Sequence, residues 1–171
     1  MPLLPVLKFP DPFLKTRCIL VTSFDPALAE QFRNMVETMY HNVGVGLAAT
    51  QVGSNLRMFV MDCSFDHEPE DTKNPVCVVN PEIVSHEGEV TSEEGCLSVP
   101  DFRAEVKRFE RLTLKYQDEF GQPHSRESTG LEAICVQHEM DHLQGILFID
   151  HLSALRRKLV QKRLKKQANS A

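Results

Sequence analysis

The chain has 171 residues, 42% of them hydrophobic and 25% charged, with a net charge of −5. That length suits a single catalytic domain, 1–171, able to bury a core without staples. Its longest apolar runs, such as 76–79 and 146–149, fall far short of the roughly 20 residues that span a bilayer, and no leader pattern opens it, so a cytoplasmic protein without a membrane partner is expected.

In chain order, residues 25–41 read as an amphipathic helix. Asp25 is a good N-cap, Pro26 suits the first helical position, and Leu28, Phe32, Met35, Val36 and Met39 form one stripe. The stretch Gly44-Val45-Gly46-Leu47-Ala48-Ala49 interrupts the helix. Short strand-like segments follow at 56–62, 76–80, 82–90, 104–107, 111–117 and 122–127, separated by Gly, Pro or Asp turns. The acidic, Pro-containing segment 64–75 reads as an exposed loop. A second helix opens at Thr129 or Gly130 and runs to about Leu143, with Gly145 as its stop. A third, over about 152–168, starts near Ser153, with Leu152, Leu155 and Leu159 as a docking stripe and Leu164 as a candidate extension. With strands between helices and no βαβ alternation, the pattern predicts an α+β fold. Mostly antiparallel sheets would surround a central helix, followed by the C-terminal helix.

Charge divides unevenly. From His151 onward there are seven Lys or Arg and no acidic residue, which leaves −12 on residues 1–150. The five cysteines have no regular spacing, so reduced thiols are expected. Cys18, Cys63 and Cys77 lie in or beside apolar runs and read as buried and inert.

The sharpest feature is His138-Glu139-Met140-Asp141-His142. On a helix, residues i and i+4 share a face, about 5–6 Å apart at Cβ. Two imidazoles can thus converge on one metal ion, with Glu139 beside the water it activates. A third ligand is needed. No Glu follows Glu139, and in the extended pattern HExxHxxGxxH the last position is Phe148, so neither common metallopeptidase solution is available. Cys135 sits about 10 Å along the axis from His142, too far to share an ion with it. His151 lies past a helix stop. Cys96, in the polar turn Glu93–Pro100 with Gly95 allowing close backbone approach, is the strongest remaining candidate. An ordinary loop thiol is its bland alternative. An HExxH-type metallopeptidase cutting internal bonds is the rival reading, weakened by the missing downstream ligand.

Three segments together resemble the peptide deformylases. They are Gly44-Val45-Gly46-Leu47-Ala48-Ala49-Thr50-Gln51, Glu94-Gly95-Cys96-Leu97-Ser98, and Gln137-His138-Glu139-Met140-Asp141-His142, in the family's order and spacing. Phe9-Pro10-Asp11-Pro12 and Asn80-Pro81 extend the likeness over about 5–155. The resemblance implies one divalent metal per chain on Cys96, His138 and His142. Fe(2+) is the expected native metal, and Zn(2+), Ni(2+) or Co(2+) could also occupy the site. It implies Glu139 as proton carrier and the Gln51 side chain with the Leu97 N–H as oxyanion donors. It places substrate against Gly44, Val45, Gly46, Glu94 and Gly95, with Val45, Leu131, Ile134 and Cys135 around the methionine side chain. The implied reaction is hydrolysis of the formyl group from N-formylmethionyl nascent peptides; a monomer is expected. The basic C-terminal helix would dock on the ribosome near the exit, with a solvated terminal helix as the alternative reading of the same charges.

Overall fold

The computed structural model describes residues 3–64 and 73–170. Most of the expected 64–75 loop lies outside them. Helix α1 (Pro26–His41) begins where Asp25 accepts the Leu28 N–H at 3.0 Å, satisfying one of the donors a helix start leaves open. The chain then forms β1 (Gly46–Ala48), β2 (Met58–Met61), β3 (Val76–Glu87), β4 (Val90–Cys96), β5 (Val99–Arg108), β6 (Arg111–Gln117) and β7 (Pro123–Thr129). Helix α2 (Gly130–Leu143) and helix α3 (Ala154–Ser170) complete it. A five-stranded sheet runs β1-β2-β3-β6-β7, and β4-β5 is a separate hairpin. Among the described residues the pairings between these strands are antiparallel, and one isolated parallel bridge joins Ile19 to Leu56. The expected α+β architecture is borne out.

Side chains alternate across a strand, and here both faces of the large sheet are covered. Leu47, Met58, Val60, Cys77 and Val79 pack toward α1. Ala48, Phe59, Met61, Val78, Leu112 and Leu114 pack toward α2. That is why β2 is buried at all four positions. A third cluster joins α3 to the hairpin through Val99, Ala104, Val106, Leu147, Phe148, Val160 and Leu164. Helix α2 is buried on most sides, including at the polar residues Gln137, Glu139 and His142. It ends before Gly145, whose φ is +76° and where a Cβ would run into the Lys15 carbonyl.

Several boundaries differ from the sequence pattern. The expected strands 76–80 and 82–90 run together as β3 as far as Glu87, Val90 already opening β4, with an irregularity between Val79 and Glu82. Asn80 sits there at φ +51°, holding both the N–H and the carbonyl of Val21 at 2.9 Å, while Pro81 has no N–H to give the ladder. Residues 93–96, read as part of a turn, belong to β4, whose inward positions are the polar Ser92 and Glu94. A polar inward face leaves no hydrophobic alternation to read. Strand β5 is ten residues long where four were expected. On α3 the docking stripe is shifted: Leu155 and Leu159 are 73% and 60% exposed, whereas Val160 and Leu164 are 7% and 4% exposed. Leu152 precedes the helix, as cap of the 3-10 turn Phe148–His151, so it cannot set the helical phase. Cys18 and Cys77 are buried as expected, but Cys63 is only half-buried. No helix among the described residues is long and apolar enough to cross a membrane.

Candidate metal centre

Three elements meet at the site. Helix α2 presents His138 and His142 from successive turns, their ring centroids 5.1 Å apart. The end of β4 brings in Cys96, whose Sγ lies 3.4 Å from His142 Nε2. The short helical turn Ala49–Val52 after β1 supplies Gln51. One ligand atom from each of Cys96, His138 and His142 falls within 4.8 Å of the others. A thiolate and two imidazoles in that space suit a single borderline-soft divalent ion. Cys135 and His151 stand outside the group; His151 Nε2 instead lies 2.8 Å from Asp141 Oδ2.

A buried polar frame orients these ligands. Glu94 Oε1 lies 3.0 Å from His138 Nδ1, leaving Nε2 as the nitrogen free for coordination. Arg108 donates to both oxygens of Glu94 at 2.8 and 2.7 Å and to Asp141 at 2.8 Å. Burial alone would raise the Glu94 carboxyl, but the Arg108 and His138 hydrogen bonds outweigh it and hold it at about 2. Burial opposes a charge on His138, yet Cys96 and Glu94 favour the cation and lift it well above its usual range. Burial, reinforced by His138 and Arg108, keeps His142 neutral. Arg108 and Asp141 escaped sequence reasoning because their partners lie on other elements.

Glu139 is buried, and its Oε2 has no hydrogen-bond partner among the described residues. Burial pushes its carboxyl up to about 7, with the His138 charge opposing. That value suits a group that takes and returns a proton near neutrality. Its other oxygen lies against Gly46, where a Cβ would stand 2.8 Å from both Glu139 Oε1 and Cys135 Sγ. An alanine here would force one of these two buried side chains to shift.

Gln51 is buried with its amide divided between two tasks. Its Oε1 accepts the Ala48 N–H at 2.9 Å, and its Nε2 points to Ser98 Oγ at 3.1 Å and Cys96 Sγ at 3.6 Å. Ser98, fully buried, was not singled out from sequence as a support. Its only sequence signal was its place two residues after Cys96.

A cleft of about 900 Å³ opens onto this group. Gly44, Val45, Gly46, Gln51 and Leu97 line one part of it, Glu94, Gly95 and Cys96 another, and Leu131, Ile134, Cys135, His138 and Glu139 the floor along α2. Leu131 is more than half exposed, so it stands at the mouth. At Gly95 a Cβ would meet only the guanidinium side chain of exposed Arg103, so no immovable neighbour requires glycine there. The site also joins the three cores: Cys135 lies in the α2 cluster, Cys96 packs on the α3 cluster and Leu97 on the α1 cluster.

The family model described as polypeptide deformylase matches residues 3–158. A peptide deformylase of Wolinella succinogenes is 44% identical over 169 residues, covering 99% of both chains. One of Stenotrophomonas maltophilia is 47% identical over 170 residues, covering 98% of this chain and 97% of the other. Among solved structures, a peptide deformylase from Legionella pneumophila superposes with TM-score 0.89 at 42% identity, covering 98% of this chain and 96% of that one. The Ehrlichia chaffeensis peptide deformylase in complex with actinonin gives TM-score 0.90 at 35% identity, covering 98% of each.

Proposed function

The chain belongs to the polypeptide deformylase family of metalloenzymes, which remove the N-formyl group from the methionine of nascent peptides, and we propose that Cys96, His138 and His142 hold its metal while Glu139 moves its protons. The observation that carries this assignment is the convergence of the three ligand atoms within 4.8 Å beside Glu139 Oε2, which has no hydrogen-bond partner among the described residues. A divalent ion held there would supply Lewis acidity, lowering the pKa of water so that hydroxide is available to attack a formamide near neutral pH. The ligand set accommodates Fe(2+), the native metal expected from the family resemblance, and equally Zn(2+), Ni(2+) or Co(2+).

Glu139 takes the proton of the attacking water and returns it to the departing methionyl nitrogen. Gln51 Nε2 and the Leu97 N–H donate to the oxygen that becomes negative in the transition state. Ser98 and the Ala48 N–H hold the Gln51 amide in that orientation. Glu94, fixed by Arg108, holds His138 in one tautomer. Gly44 to Gly46 receive the peptide backbone in strand-like fashion, and Val45, Leu131, Ile134 and Cys135 enclose the methionine side chain.

The chain works as one catalytic unit, since the site stands on all three cores. We place it in the cytoplasm as a monomer, where formylmethionyl chains emerge. Its ribosome contact is α3, which exposes Arg156, Lys158, Lys162, Arg163, Lys165 and Lys166 and carries no acidic residue. Anaerobic purification with metal analysis and a formyl-Met-peptide assay on the same sample tests the reading. About one ion per chain with formate release is expected, and substitution of Cys96, His138 or His142, but not Cys135, should empty the site. Digestion of casein without formate release would instead favour an endopeptidase.

A further inference from the structure

Building on the assignment of the cleft to the formylmethionyl peptide, we propose that Cys63 and Cys135 are an oxidisable thiol pair whose disulfide reshapes the methionine pocket. The two residues reach the same stretch of backbone from different elements. Strand β2 is tied to the lip of the cleft by the Asp62 N–H, which donates to the Val45 carbonyl at 2.9 Å. Cys63 is the next residue. Cys135 comes from α2, and its Sγ lies 3.8 Å from the same Val45 carbonyl. Cys63 packs on the cluster that contains Cys135. Its thiol, ahead of burial, is the main influence holding the Cys135 thiol well above its usual range. Neither thiol has a part in the chemistry, and Cys96 is separately engaged by His142 and Gln51.

Exposure gives the two sulfurs different tasks. Cys63 is half-buried, whereas Cys135 is buried, so Cys63 is the more accessible of the two. Cys63 therefore meets the oxidant, a small-molecule disulfide such as oxidised glutathione. Its thiolate attacks one glutathione sulfur, the glutathione S–S bond breaks, and one glutathione leaves as thiol. Cys135 then gives its proton to solvent and attacks the Cys63 sulfur, releasing the second glutathione. Two protein thiols are oxidised to one disulfide and one glutathione disulfide is reduced to two thiols.

The new bond would draw the Cys135 sulfur away from its place beside Val45, Gly46 and Glu139. That reshapes the wall receiving the methionine side chain and changes the contact over Gly46, where an added Cβ would stand 2.8 Å from this sulfur.

The test uses full-length, zinc-loaded protein, because zinc does not itself react with the oxidant. After treatment with oxidised glutathione, peptide mapping reads the pairing and a formyl-Met-peptide assay reads turnover, before and after dithiothreitol. The expected result is a Cys63–Cys135 cross-linked peptide with loss of most turnover, recovered on reduction. Cys63→Ser should keep the untreated rate and lose both responses. Three results overturn the proposal: Cys63 free or found only as a glutathione adduct, a cross-link with unchanged turnover, or equal inactivation of Cys63→Ser. Absence of formate release in the untreated, reduced protein would overturn the functional assignment instead, while the peptide map still reads the pair.

Discussion

His138 Nδ1 stands 3.0 Å from Glu94 Oε1, and both oxygens of Glu94 are held by Arg108. The metal-facing imidazole is thus oriented by a buried ion pair from another part of the chain. Arg108→Met leaves Glu94 and Asp141 without their common cation. Breaking a buried pair costs roughly 3–5 kcal/mol, and loss of such a support weakens metal binding roughly 10–100-fold. Chemical denaturation and chelator competition read the two effects. The pH dependence has a definite sign. Glu94 titrates at about 2 in the folded protein against an ordinary 4.5. Its depressed value contributes stability that is present above 4.5 and lost as pH falls toward 2. Arg108→Met should flatten that acid limb; an unchanged limb would place the effect elsewhere.

Glu139→Gln keeps the shape of the side chain and removes the proton acceptor. Turnover should fall roughly 10²–10⁴-fold with metal content unchanged. A near wild-type rate at full occupancy would remove Glu139 from the mechanism.

Gly46→Ala puts a Cβ 2.8 Å from both Glu139 Oε1 and Cys135 Sγ. Since small misplacements at a reacting centre cost up to about 10²-fold, kcat should drop on the order of 10-fold or more with the metal retained. Gly95→Ala, which meets only the exposed Arg103 side chain, should be nearly neutral. Equal effects at both positions would mean that crowding at Glu139 is not the cause.

Gln51→Leu should lower kcat roughly 10²–10³-fold while changing KM little, because an oxyanion donor acts chiefly in the transition state. Gln51 also braces the loop, so Ser98→Ala is the comparison: it loosens the brace but keeps the amide and its Ala48 contact, and should cost less. A Gln51→Leu effect confined to KM, or matched by Ser98→Ala, would reduce Gln51 to a structural amide.

The basic helix separates into two functions. Cutting the chain after Val160 would remove Leu164, a buried member of the α3 cluster, and large core truncations cost about 2–5 kcal/mol. That deletion should destabilise the protein whatever the helix binds. Changing exposed Lys158, Lys162, Lys165 and Lys166 to Gln keeps the docking face. It should leave turnover on a short formyl-Met peptide intact, weaken ribosome binding and reduce its salt dependence, as fewer phosphate contacts release fewer counterions. Unchanged, salt-insensitive binding would rule out this face.

Local geometry alone determined what the sequence could state by itself. His138 and His142 share a helical face because of the helical repeat, Asp25 and Gly145 bound their helices through backbone needs a few residues wide, and strands such as 111–117 announce themselves by alternation. The choice of Cys96 came from exhausting the alternatives and from the family likeness. What brings its sulfur to His142 is the folding of the β4-β5 hairpin against α2, a long-range pairing that no periodicity encodes. Strand β4 stayed hidden because Ser92 and Glu94 fill its inward positions, and a buried polar residue looks exposed until its partner is known. Arg108 is such a partner, Ser98 another. The phase of α3 was decided by what it packs on: Val99, Val106 and Phe148 accept Val160 and Leu164 and leave Leu155 and Leu159 in water. Burial is a property of two surfaces, and a chain read alone shows only one of them.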